Sequence, residues 1–151
     1  LEKFVHSYGL GMGYDICALR PTGIYGIAQP VQQSKWFPLV QKIVRGESVE
    51  VSGGGKEVHA ADVAQSVELL LTAPGIAGQA YNCYDRYFSE LDVATTANAL
   101  SGSGATILGE ATHPANQIET AKLRALGCSF GGWTLFEQTI GELVDAARAR
   151  L

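Results

Sequence analysis

The residues of this sequence that could do chemistry fall into a few short stretches, and His59 with Asp62, three positions on, is the most suggestive pair. An imidazole beside a carboxylate can relay a proton or begin a metal site. Two ligands are too few for a metal, which wants three or four, and Asp62 at a helix start is equally explained by the helix dipole. Ser52 could be added to draw a Ser-His-Asp triad, but no nucleophile elbow sets that serine up for attack. GLGMGY, Gly9 to Tyr14, has the outline of a phosphate-binding loop. A dinucleotide site needs G-x-G-x-x-G after a strand and opening a helix. Here Tyr14 stands sixth and the glycines follow a helix, so a C-cap and turn are expected. SGGGKE, Ser52 to Glu57, shares only its Gly-Lys pair with a Walker loop, and a flexible loop is expected. Lys35, Trp36 and Phe37 could wall a ligand, although an apolar helix face accounts equally well for the two aromatics.

The elements that would hold these residues can be read from periodicity. Phe4, Val5 and Tyr8 make a short helical stripe, closed by Gly9, Gly11 and Gly13. Asp15 to Leu19 is a short apolar segment bounded by Gly and Pro21, which suits a buried strand. Trp36 to Val44 has helical spacing that stops at Gly46; Val49 to Val51 is a minimal strand. From Asp62, the residues Val63, Val67, Leu70 and Leu71 mark one helix face, closed by Pro74-Gly75. Ala80 to Cys83 reads as a strand. Three capping boxes are then expected, Ser89 with Asp92, Asn116 with Glu119 and Thr134 with Glu137, the last opening a helix with Phe136, Ile140, Leu143 and Val144 on one face. Short strands alternating with helices argue for an α/β fold with parallel pairing. No internal repeat is present, and SGSG, Ser101 to Gly104, reads as a connector.

Composition narrows the function classes. The chain has 151 residues, about one domain, with 46% hydrophobic, 17% charged and 9% aromatic residues, an ordinary globular mixture. A net charge of -4 and the lack of a Lys/Arg run argue against nucleic acid or an anionic membrane as partner. No apolar run approaches the roughly 18 residues of a membrane span. Cys17, Cys83 and Cys128 are odd in number and contain no CxxC, so neither a disulfide framework nor a zinc site is indicated, and a reducing, cytoplasmic setting is expected.

Three ordered motifs carry a resemblance: LRPTGIYG (Leu19 to Gly26), EVHAADVA (Glu57 to Ala64) and GQAYNCYD (Gly78 to Asp85). Together they resemble the extended short-chain dehydrogenase/reductase family, the NAD(P)-dependent epimerases and dehydratases. The resemblance implies the C-terminal part of a Rossmann-like parallel sheet plus the small substrate-binding domain, with residues 1–151 forming a single unit. It implies NAD or NADP as the cofactor of the parent protein and a small-molecule substrate. Pro21, Thr22, Gly23 and Ile24 would pass the nicotinamide: Pro21 stiffens that wall and Gly23 permits close approach. Tyr25, Trp36, Lys56 and His59 would line the substrate site.

Family members carry Tyr-x-x-x-Lys on the active-site helix, often with a Glu four residues after the Lys; Glu2 would be that Glu. No tyrosine here has Lys four residues later, so no catalytic residue is assigned to this chain. The pair and the glycine-rich phosphate loop are expected upstream of Leu1, leaving a fragment inactive alone. Sugar-nucleotide members often place an Arg four residues before the motif His; Gly55 stands there, with Lys56 beside it. A smaller or unphosphorylated sugar, or another carbonyl compound, is therefore as consistent as a nucleotide sugar. The chain is expected to form a homo-oligomer or to associate with its own N-terminal half. The alternative is a non-catalytic protein that senses a nucleotide or metabolite on the same fold.

Overall fold

The computed structural model describes residues 1–151. A short helix α1 (Glu2–His6) continues into a π-helical turn (Ser7–Gly11), then β1 (Ala18–Pro21) and β2 (Gly23–Tyr25) follow in quick succession. A 3-10 turn (Val31–Gln33) leads to α2 (Phe37–Val44), β3 (Val49–Val51) and β4 (Gly54–His59). The remaining elements are α3 (Ala60–Thr72), β5 (Ala80–Cys83), β6 (Arg86–Ser89), α4 (Glu90–Ser101), β7 (Ile107–Gly109), α5 (Ala121–Arg124) and α6 (Gly132–Arg148).

Three small sheets result. β1 pairs in parallel with β5, with Leu19 opposite Tyr81, and β3 pairs in parallel with β7. β2, β4 and β6 form the third sheet, in which β2 runs parallel to β4 and β6 runs antiparallel to it. The architecture is α/β, as the alternation of elements predicts, with one antiparallel pair added. No helix is long and apolar enough to cross a membrane.

Local signals explain most helix limits. Pro38 sits in the first turn of α2, where a missing N–H costs nothing, and Phe37, Val40, Ile43 and Val44 form its buried face. The capping box at α4 is complete: Asp92 N donates to Ser89 Oγ at 3.1 Å and Ser89 N to Asp92 Oδ2 at 2.8 Å. Gly102, with φ of 63°, ends that helix in the left-handed conformation.

Several expectations are corrected. The glycines of SGGGKE do not make a flexible loop: Gly54 and Gly55 belong to β4, held between β2 and β6. The first strand spans Ala18–Pro21 rather than Asp15 to Leu19. No capping box forms at Asn116, because Lys56 holds its side chain and α5 begins at Ala121, whose N–H donates to Glu119 Oε1 at 2.5 Å. Thr134 lies inside α6 rather than at its start; Glu137 instead accepts from Trp133 Nε1 at 2.9 Å. The start of α6 is held by two carboxylates from elsewhere in the fold, Asp62 accepting from Gly131 N and Asp85 from Gly132 N.

The apolar residues fall into two cores. The larger joins α2, α4 and α6 to the central sheet through residues such as Phe88, Val93, Phe136 and Ile140. The smaller packs Val58, Leu70, Tyr81, Cys83 and Leu123 beside the β1–β5 pair. α3 departs from its expected face: Asp62, Ser66 and Leu70 point inward, while Val67 and Leu71 are exposed.

Candidate functional site

Strand β1 ends at Pro21, and the chain turns at Thr22 directly into β2. Thr22 N donates to Cys83 O at the end of β5, so this turn sits where two parallel strands reach their carboxyl ends. That is where an open α/β sheet places a ligand crevice. Two clefts open beside it. One, of about 370 Å³, is lined by Ile24, Gly26, Ile27, Ser34, Lys35 and Ala60 among others. The other, of about 410 Å³, lies over the β2–β4–β6 sheet and is lined chiefly by Lys35, Trp36, Lys56, Glu57 and Glu90, with Gly23 and Gly55 in its floor. Both volumes fall in the range of small-molecule sites.

The four residues expected at the cofactor divide by exposure. Pro21 and Ile24 are exposed, and Ile24 faces the smaller cleft. Thr22 and Gly23 are half-buried, and the Thr22 hydroxyl is a buried polar atom with no hydrogen-bond partner in the protein. The hydroxyl is enclosed by the protein, and neither Pro21 nor Thr22 lines either cleft; of the four, only Gly23 and Ile24 do.

The residues expected at the substrate divide differently. Tyr25 lines the smaller cleft but is only 2% exposed. Its ring packs 4.8 Å from Trp36 and 5.0 Å from His59, centroid to centroid. It is therefore a core residue first. Burial, with Asp85 next and Asp62 after it, pushes its hydroxyl well above the ordinary phenol value. A proton-relaying tyrosine needs the opposite shift. Trp36 and Lys56 both line the larger cleft, the Lys56 ammonium donating to Asn116 Oδ1.

His59 lies at the end of β4 as the N-cap of α3, its Nδ1 accepting from Ala61 N at 3.0 Å. Burial depresses its pKa below the ordinary imidazole value, with Asp62 and Glu142 opposing. Asp62 faces Gly131 rather than forming a pair with His59, and burial raises its carboxyl despite that backbone hydrogen bond. The pair thus builds helix starts. No group of three His, Cys, Asp or Glu side chains is gathered closely enough to hold a metal ion.

One site residue escapes a reading of the sequence alone. Glu57 is 2% exposed and pairs with Lys35 across the larger cleft at 2.5 Å. Burial raises the Glu57 carboxyl, while its hydrogen bond from Lys35 pulls the other way. The pairing joins a residue of β4 to one 22 positions earlier, in the turn before α2, so no local spacing announces it. The only signal is a charged residue inside a strand whose next position, Val58, is fully buried.

No family model and no curated protein sequence matches the chain. Solved structures do. RMD from Pseudomonas aeruginosa, complexed with NADPH, superposes with a TM-score of 0.75 at 16% identity, covering 99% of this chain and 54% of that one. UDP-glucuronic acid 4-epimerase from Bacillus cereus, in complex with UDP-glucuronic acid and NAD, gives 0.71 at 17% identity, covering 99% and 50%. UDP-N-acetylglucosamine 4-epimerase from Bacillus cereus gives 0.72 at 20% identity, covering 97% and 50%. At this identity the likeness establishes the fold: the chain has the architecture of the C-terminal half of Rossmann-type epimerases and dehydratases. It spans about half the length of each.

Proposed function

We propose that this chain is the substrate-site-bearing C-terminal portion of an NAD(P)-dependent oxidoreductase of the epimerase/dehydratase type, acting on a sugar or other small carbonyl or hydroxyl compound in a reducing cytoplasm. The observation that carries this reading is the turn at the carboxyl ends of β1 and β5, whose Gly23 and Ile24 each border a cleft of ligand size. The shared fold, and the NADPH or NAD bound in the similar structures, support it.

The residues present fit one face of a nicotinamide. Pro21 and Ile24 offer exposed apolar surface, and Gly23 and Ile24 border the two clefts. When bound, NAD or NADP would supply the hydride acceptor or donor. This chain's part is to shape and dry one side of the crevice and to orient the substrate with Trp36, Lys35, Lys56 and the edge of Tyr25. No tyrosine here is set up to move the carbinol proton: Tyr25 is buried with its hydroxyl pushed up, and none is followed four residues later by lysine. The chain alone is therefore proposed to be inactive, completed by a segment that brings a Tyr-Lys pair and a phosphate loop.

The test is the coding sequence upstream of Leu1, together with hydride transfer by the chain so extended. Tyr-x-x-x-Lys ending four residues before Glu2, preceded by a glycine-rich strand-turn-helix, is the expected result. A reading frame lacking both would overturn the oxidoreductase and leave a sensing module on the same fold.

A further inference from the structure

Lys35 stands on the ridge between the two clefts and lines both. Its ammonium donates to Glu57 Oε1 at 2.5 Å, which uses one of three N–H groups. The Lys35 side chain remains 40% exposed, whereas that of Glu57 is 3% exposed. The cation thus faces ligand space while its partner is fixed in the protein.

The placement is built into the sheet. A Cβ on Gly23 would come within 2.5 Å of Glu57 Oε2, and one on Gly55 would collide with Oε1, so two neighbouring strands clear room for this carboxylate. Glu57 Oε2 has no hydrogen-bond partner. A buried carboxylate with an idle oxygen costs free energy that packing does not return. Its retention makes sense where it holds Lys35 in place for something else.

The charges of the larger cleft decide what that is. Lys35 and Lys56 are matched by Glu57 and Glu90. Each is already engaged: Lys56 with Asn116, and Glu90 with the N–H groups of Ser52 and Gly53. A diphosphate seeks uncompensated cations or a guanidinium fork, and here two carboxylates, that of Glu57 buried, balance the two ammonium groups. An uncharged polyol needs no excess of cations: it can accept from the remaining N–H groups of Lys35, and the half-buried Trp36 offers an apolar face for its C–H groups.

Building on the substrate-site reading above, we infer that Lys35, held by Glu57, is a ligand-binding residue of this cleft, and that the ligand is an uncharged polyhydroxylated molecule of monosaccharide size rather than a nucleoside diphosphate. Lys35 touches the ligand; Glu57 is a positioning residue.

The experiment titrates the isotope-labelled chain with D-glucose, inorganic pyrophosphate and UDP-glucose while following amide and indole resonances. D-Glucose is expected to shift Gly23, Gly55 and Trp36, with UDP-glucose and pyrophosphate binding no tighter. Lys35→Met should weaken glucose binding at least about tenfold, and Lys35→Arg should hold it within about threefold. Glu57→Gln should remove the acid limb of the affinity-against-pH profile, a readout that a purely structural role would not move. Should that variant fail to fold, the two Lys35 variants, at a half-exposed position, decide the matter. Tighter pyrophosphate or UDP-glucose binding, unchanged affinity in Lys35→Met, or the absence of any glucose shift would each overturn the inference. No cofactor enters the titration, so its failure is separable from failure of the oxidoreductase reading, which the upstream sequence and hydride transfer decide.

Discussion

His59 shows how one side chain can carry a structural duty that titrates. Its neutral Nδ1 caps α3, and burial disfavours the imidazolium, so the folded chain resists the proton more than the unfolded chain does. The unfolded state then binds more protons as pH falls through the ordinary imidazole range, and stability drops with it. Glu57 and Asp62 act with opposite sign at lower pH: burial holds both above ordinary carboxylate values, so their desolvation cost fades as they protonate. Through the ordinary imidazole range His59 should therefore lower the melting temperature on acidification, against the two carboxylates. His59→Asn keeps a capping oxygen without the titration, and a profile as steep as that of the parent chain would remove His59 as the cause. A second residue-scale expectation concerns Gly55. Gly55→Ala forces a methyl into the Glu57 carboxylate and should cost about 1 to 3 kcal/mol by denaturant unfolding, since a buried side chain has little room to yield. Unchanged stability would mean that the carboxylate moves freely. Neither the glycine's purpose nor the acid's burial is visible in SGGGKE, because both depend on a lysine brought over from the turn before α2.

At the scale of elements, what the sequence discloses follows how local the cause is. The Ser89–Asp92 box is readable because donor and acceptor lie three residues apart, and it forms as expected. Ser89→Ala should cost about 1 kcal/mol, with α4 losing amide protection in hydrogen exchange before the other helices; uniform protection would show that packing alone holds that helix. The start of α6 is the contrary case. Thr134 and Glu137 have the right spacing, yet the helix begins earlier, because Asp62 and Asp85 reach its first amides from other elements. Gly132 has φ of 60°, and an added Cβ would also press on the Arg86 guanidinium at 2.9 Å. Gly132→Ala should therefore destabilise by roughly 1 to 2 kcal/mol. An unaltered unfolding midpoint would mean the helix start has shifted to a relaxed conformation. β4 was hidden for a related reason: glycines argue against a strand until a distant neighbour pairs with them, as Ser89 and Phe88 of β6 do with Gly54 and Gly55. The parallel α/β character and the strand Ala80–Cys83, by contrast, were plain from pattern alone.

The whole molecule poses the question of what covers α3. Its sequence stripe of Val63, Val67, Leu70 and Leu71 predicts a buried face, yet Val67 is 45% and Leu71 is 80% exposed. With Ile16, Cys17 and Leu19 they line an apolar groove of about 340 Å³ beside β1, a strand paired on one side only. A helix that keeps an apolar stripe while turning polar Asp62 and Ser66 inward has two faces to satisfy. A strand with a free edge next to it invites a further strand. This geometry agrees with a chain that spans about half the length of the structures it resembles, and supports association either with the rest of a longer chain or with a second copy. The expected behaviour of the isolated chain is concentration-dependent self-association in light scattering, reduced by Leu71→Lys and Val67→Lys together. Those positions are exposed, so the double substitution should leave the unfolding midpoint nearly unchanged while the apparent mass falls toward that of a monomer. A parent chain that remains monomeric at high concentration would show that the groove is tolerated in water, and that the α3 stripe does not drive assembly by itself.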